Sequence, residues 1–214
     1  MLLQHQQTHG TLIIRLSDAG RLTTTGPERL SLGYSVQAGS TLLERHDHHG
    51  RSSASEDGVW AQWTWDRHRL RVNNDRFGFL PIYFAKLPNG FGISTSIMDL
   101  LRAGANAQLN DAAIAVFLRL GYYIGNDTPF QNIHLLPPCS ELTWDGSKVD
   151  LKQSAPPISG RQSSLSRHEA IQQYGERFQE AVEAMLPSVT ERMCVPLSAG
   201  RDSRHILYAL VRAG

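Results

Sequence analysis

Apolar and polar residues alternate at strand spacing through the first third of the chain, and this predicts a region that is mostly β. "GTLIIRL" at 10–16 reads as one strand. "WAQWTWDRHRLRV" at 60–72 reads as two, with Trp63, Trp65, Leu70 and Val72 on alternating positions and a turn near Asp66–His68. "LPIYFAKLPNGFGIST" repeats the pattern, and its Asn89-Gly90 pair predicts a hairpin turn, because both residues tolerate the positive φ that the favoured two-residue turns demand. Between these segments "ERHDHHGRSSASEDG" offers little to bury and reads as a loop.

From Asn110 the period becomes helical. Ile114, Phe117 and Leu118 fall on one face, Asn110 or Asp111 can cap the start, and Gly121 marks the end. "PFQNIHLLPPCSELTWDGSKVDLKQ" returns to extended structure, since Pro137-Pro138 forbids helix and Asp145-Gly146 signals a turn. The Pro, Gly and Ser content of "SAPPISGRQSS" marks a domain boundary, which divides the chain into 1–155 and 156–214. Ser166 and Glu169 then have the spacing of a capping box. The helix behind it carries Ile171, Tyr174, Phe178, Val182 and Met185 on one stripe and ends before Pro187. "MCVPLS" follows as a candidate buried strand, and a helical pattern opens just after Gly200.

Composition adds boundaries. The 214 residues are 41% hydrophobic and 19% charged, an ordinary globular balance, and the net charge of +1 provides no basic stripe or acidic tail. Partners are therefore expected to be small molecules, with neither nucleic acid nor membrane among them. No apolar run has the length of a membrane span, "MLLQHQQTHG" lacks a basic leader and an apolar h-region, and the two cysteines sit in unrelated contexts. A cytoplasmic setting is the expectation.

The stretch "VPLSAGRDSRHIL" at 195–207 carries the most chemistry. A phosphate chain needs converging backbone N–H groups, little side-chain bulk, hydroxyl donors and the positive end of a helix dipole. Val195 and Leu197 supply the strand, Gly200 an unusual φ, and Ser198 and Ser203 the hydroxyls. Ile206, Leu207, Leu210 and Val211 would pin the following helix to a sheet. No Gly-Lys-Ser/Thr is present, so this is not a Walker A loop. Asp202 would brace the loop through N–H groups or meet a metal ion. Spacing alone equally allows an ordinary strand-to-helix connection with a polar cap.

"LSAGRDSR" resembles the Ser-Gly-Gly-x-Asp-Ser pyrophosphate loop of the N-type ATP pyrophosphatases, and of the asparagine synthetase family in particular. "VWAQWTWDRHRLRVNNDRFGFLPIYFAKLPNGFGISTS" resembles the end of that family's glutaminase-like domain, with Asn74 to Tyr83 in place of an Arg-Asp-x-x-Gly-x-x-Pro-Leu-Tyr-like stretch. "FLRLGYYIGNDTPFQNIHLLPPCSELTW" is similar to the segment joining the family's two domains, with Cys139 where a glycine is usual.

The resemblance implies a fold that is α+β and then α/β. An αββα sandwich of Ntn-hydrolase type would occupy about 1–155, and the first βα unit of an ATP-pyrophosphatase domain would follow, cut short. It implies ATP and Mg2+ as ligands, a carboxylate such as aspartate and an amine donor as substrates, and allows a homodimer. By position, Ser198, Gly200, Asp202 and Ser203 match the residues that grip the β- and γ-phosphates while the carboxylate attacks the α-phosphorus, giving an acyl-adenylate and pyrophosphate. Leu197 matches the residue whose backbone lies by the adenine. Ala199 stands where a glycine is usual, and its methyl is tolerated only if φ stays negative.

Glutamine hydrolysis in this family uses an N-terminal cysteine with its own amine as base. Residue 2 here is Leu, too bulky for the usual removal of Met1, so no glutaminase activity is expected. The family's later magnesium ligands and its amide-forming lysine and glutamate have no counterpart, so the chain is not expected to catalyse the full reaction by itself. Branches resembling β-lactam synthetases and peptide cyclases share the loss of the cysteine, and they leave another carboxylate open as substrate. A noncatalytic scaffold with a vestigial loop is the contrasting class.

Three other features read as structural, and a fourth stays open. His46-Asp47-His48-His49 is a solvated loop rather than a metal cluster. Cys194, in a buried strand, belongs to the core. Trp60, Trp63 and Trp65 pack rather than stack bases. Arg201 and Arg204 either hold phosphate or solvate the loop.

Overall fold

The computed structural model describes residues 9–17, 21–36, 43–45, 57–154, 164–184, 186 and 194–213. In chain order the strands are β1 (Thr11–Leu16), β2 (Leu22–Thr25), β3 (Arg29–Val36), β4 (Leu43–Arg45), β5 (Asp57–Trp65), β6 (Leu70–Asn74), β7 (Tyr83–Leu87) and β8 (Gly90–Ser94). Two helices follow, α1 (Ile97–Arg102) and α2 (Asp111–Leu120), then β9 (Ile133–Leu135), β10 (Ser140–Trp144) and β11 (Val149–Gln153). The chain closes with α3 (Arg167–Ala184) and α4 (Arg201–Ala213). These elements fall into two compact units, one built on the sheets with α1 and α2, the other on α3 and α4.

The first unit is a pair of antiparallel sheets. One has the order β2-β1-β8-β7-β9 and the other β11-β10-β6-β5-β3-β4. Strand alternation decides what each face buries. Leu12, Ile14, Phe91 and Ile93 of the first sheet meet Trp63, Trp65, Leu70, Val72, Leu142 and Trp144 of the second in one buried cluster. Phe91 stacks on Trp144 with centroids 5.3 Å apart, which locks the sheets face to face. The opposite face of the first sheet buries Ile13, Ala85, Leu87 and Ile133 beneath Leu100 of α1.

The expected fourth layer is absent among the described residues. On the outer face of the second sheet Thr64, Arg71, Glu141, Asp150 and Lys152 are all exposed. Asn73 Nδ2 donates to its cross-strand neighbour Glu141 Oε2 at 3.5 Å, and Lys152 pairs with Asp150 at 3.7 Å.

The hairpins form where alternation places them, with one correction of register. Leu87 pairs with Gly90, so the two-residue turn is Pro88-Asn89 rather than Asn89-Gly90, and neither Asn89 nor Gly90 has positive φ. Pro88 presets the φ of the first turn position. Gly90 is needed for a different reason: it faces Arg15 across the ladder, and a Cβ there would run into the carbonyl oxygen of Ile14. The Asp145 turn does use its glycine as expected, with Gly146 at φ 100.

α2 has the predicted boundaries. Asn110 Oδ1 accepts the N–H of Ala113 at 3.1 Å, and Gly121 ends the helix at φ 81. Its apolar face is mostly uncovered in this chain: Ala113 is buried, whereas Phe117 and Leu118 are exposed.

The second unit departs further from expectation. Residues 194–198 form no strand, Cys194 and Leu197 are exposed, and the assignment of Cys194 to a core is overturned. No strand follows β11 among the described residues, and residues 194–198 join no ladder that would satisfy their N–H and C=O groups. α4 is not pinned to a sheet either. It packs on α3 through His205, whose ring stacks on Phe178 at 4.4 Å, and through Gln179 Nε2, which donates to the carbonyl of Ala209 at 3.1 Å. Ile206 and Val211 are left exposed. The capping box on α3 is present: Glu169 N–H donates to Ser166 Oγ at 3.3 Å, and Ser166 N–H donates to Glu169 Oε2 at 2.8 Å. The Ser166 hydroxyl, then its backbone N–H, hold the Glu169 carboxyl below the usual range.

Candidate functional site

The predicted site residues lie in one loop of the second unit, and the sheet unit adds a buried polar clamp that carried no site prediction. In the sheet unit the chain leaves β6 at Asn74-Asp75 and turns at once. Asp75 is fully buried, and its carboxylate accepts four backbone N–H groups. Phe77 and Gly78 reach Oδ1 at 2.8 Å each, while Phe79 and Trp60 reach Oδ2 at 3.2 Å. Such an arrangement satisfies a buried charge by hydrogen bonding in place of an ion pair. Gly78, at φ 64, lets the loop close around it.

Asn74, also buried, reaches the other way. Its Nδ2 donates to the carbonyl of Pro137 at 2.9 Å and its Oδ1 accepts the N–H of Ser140 at 2.9 Å. The two neighbours thus join the 75–82 loop to the 136–140 loop, and a crevice of about 100 Å3 lies beside them, lined by Asn73, Arg76, Cys139, Glu141 and Ser154. Phe77 and Phe79 project outward from this rigid loop as an exposed aromatic pair with centroids 5.5 Å apart.

At the entry to β1 a second polar cluster forms. Thr11 Oγ1 lies 2.7 Å from Ser94 Oγ and donates to Asp99 Oδ2 at 2.9 Å, while His9 Nε2 stands 2.9 Å from the same carboxylate and Nδ1 3.0 Å from Thr95 Oγ1. The Thr11 hydroxyl, then the guanidinium of Arg102 and His9, hold the Asp99 carboxyl below its usual range against the opposing effect of burial. This cluster ties β1 to α1 and escaped sequence reading, because its members are spread over some ninety positions and no local spacing connects them.

In the second unit the structure does bring the 198–203 residues together, but with their donors turned inward. Ser203 Oγ accepts the N–H of Ser198 at 3.2 Å and lies 3.0 Å from Ser198 Oγ, which itself accepts the N–H of Gly200 at 3.1 Å. Arg204 Nε donates to the carbonyl of Gly200 at 3.1 Å, so this arginine braces the loop. Asp202 lies exposed in the first turn of α4, where a carboxylate is favoured by the helix dipole. Gly200 does not adopt the unusual φ expected of it. Ala199 also avoids positive φ, so its methyl is accommodated without backbone strain. Leu197, placed beside the adenine by resemblance, is exposed.

Met1, Leu2 and the His46–His49 cluster lie outside the described residues. Among the described residues no group of three or more His, Cys, Asp or Glu side chains could hold a metal ion, and no helix is long and apolar enough to cross a membrane.

Residues 37–154 match the glutamine amidotransferase domain family, a span of more than half the chain, and the chain belongs to that family. The paired antiparallel sheets agree with an Ntn-hydrolase-like domain of this kind. No curated protein matches the chain. The matched region contains the Asn74–Asp75 clamp and Cys139 but ends well before the 198–203 loop.

Proposed function

We propose that this chain is the amidotransferase-type domain and nucleotide-loop portion of an asparagine-synthetase-like, ATP-dependent amide ligase that forms an amide on a carboxylate such as aspartate. The observation that carries the reading is order: the amidotransferase domain at 37–154 is followed, after a capped helix, by Leu197-Ser198-Ala199-Gly200 opening α4. The residues there suit a pyrophosphate in kind. Ser198 and Ser203 supply hydroxyls, Gly200 an N–H group without side-chain bulk, the start of α4 a partial positive charge, and Asp202 a carboxylate for Mg2+ or for bracing. To bind, a phosphate oxygen would take over the acceptor positions now held by Ser203 Oγ and Ser198 Oγ.

The inward donors favour one alternative, a noncatalytic domain whose loop is vestigial. Calorimetric titration of the chain with ATP and Mg2+ separates the two. Saturable binding that weakens about tenfold in Asp202→Ala, or on leaving out Mg2+, supports the ligase reading. Absence of saturable binding, with the fold intact by circular dichroism, sinks it. Product analysis with aspartate and ammonia then distinguishes asparagine formation from ligation of another carboxylate.

A further inference from the structure

At the end of the sandwich where β1 finishes, the sheets part. A cavity of about 390 Å3 opens between the β7–β8 turn of one sheet and the β10–β11 turn of the other. That volume falls in the range of about 300–1,000 Å3 common for small-molecule sites. β1 is six residues long, so at about 3.4 Å per residue this mouth lies roughly 17 Å from Thr11, at the opposite end from the polar cluster where the chain enters.

Leu16, Leu22 and Trp144 form an apolar patch of the wall, with Ser17, Asn89 and Ser147 as polar members of the rim. Trp144 is buried and held by stacking on Phe91 and by Trp65 at 5.8 Å. Leu16 continues the inward row of Leu12 and Ile14, which are fully buried, yet Leu16 itself is 49% exposed. The core therefore ends here with uncovered apolar surface, completed by Leu22. Gly146, on the rim, faces open space, since a Cβ there would touch nothing within 4 Å.

Among the described residues that line the cavity, Lys86 is the one charged residue. It shares the inter-sheet face of β7 with Phe84, because its neighbours Ala85 and Leu87 point to the other face. Its ammonium has no ion pair or hydrogen bond among the described residues. Asp145, in the β10–β11 turn, uses Oδ1 to accept the N–H groups of Lys148 at 2.8 Å and Ser147 at 3.0 Å. A single available cation above an apolar wall recognises one negative charge on an apolar body. A phosphate would want several converging donors.

We propose that this mouth binds a small organic monocarboxylate, its aryl or alkyl body against Trp144, Leu16 and Leu22 and its carboxylate paired with Lys86. The site is independent of the 198–203 loop and of the ligase reading. The test is titration of the whole chain with 4-phenylbutyrate, followed at the indole N–H signal of Trp144. Saturable shifts are expected, with affinity falling about tenfold in Lys86→Gln and about tenfold when 4-phenylbutanol replaces the acid. Asn89→Trp, on the exposed turn at the rim, should block binding while leaving the dispersion of the other indole signals unchanged. No saturable shift at Trp144, or equal affinity in Lys86→Gln, overturns the proposal.

Discussion

The backbone N–H of Cys139 donates to the carbonyl oxygen of Asp75 at 2.9 Å, and Cys139 makes this bond from a left-handed backbone, with φ at 52°. An L-residue with a Cβ is held there at a cost that glycine avoids. Cys139→Gly should therefore stabilise the sheet unit by about 0.5–1 kcal/mol, the relief of strain outweighing the added freedom of the unfolded chain. Cys139→Val, β-branched in the same conformation, should destabilise it. Urea midpoints of the three proteins decide.

Asp75 itself should be far less tolerant. Its replacement by Ala strands the N–H groups of Phe77, Gly78, Phe79 and Trp60 around a buried site. The expected loss is about 3 kcal/mol or more, with Asp75→Asn intermediate because one oxygen remains. Chemical denaturation measures both, and amide exchange of Phe77 and Gly78 should accelerate first.

Acid should weaken the β10–β11 hairpin in a defined window. The N–H groups of Lys148 and Ser147, then the Ser147 hydroxyl, lower Asp145 from 3.8 to about 2. Because the folded value lies below the unfolded one, the contribution is complete above about pH 3.8 and is lost as pH falls towards 2. Asp145→Asn should show a flatter dependence of hairpin stability across that window, read from amide exchange or chemical shifts of Trp144 and Val149.

The cap of α3 is open to a similar test. In Ser166→Ala the Glu169 carboxyl loses the hydroxyl that lowers it most, so its titration should move up towards the ordinary value. Amides in the first turn, including Ala170, should exchange about fivefold faster. An unchanged Glu169 titration would count against the capping box as the source of the shift.

What the sequence determined by itself was local. Alternation at Trp63, Trp65, Leu70 and Val72 named a hairpin and the face it buries. Asn110 and Gly121 bounded α2, and Ser166 with Glu169 started α3, because caps and strand periods are written within a few residues of the atoms they satisfy. The partners of those faces were decided elsewhere. Leu207 and Leu210 look alike whether a helix lies on a sheet or on another helix, and only the packing of His205 on Phe178 settled α4 against α3. A strand at 194–198 required neighbours to complete its ladder, and its pattern could not supply them. The Asp75 clamp, the His9–Thr11–Ser94–Asp99 cluster and the cavity at Lys86 and Trp144 join residues distant in the chain. Hydrogen bonds and voids of that kind depend on the register of two whole sheets, a long-range property that local spacing leaves open.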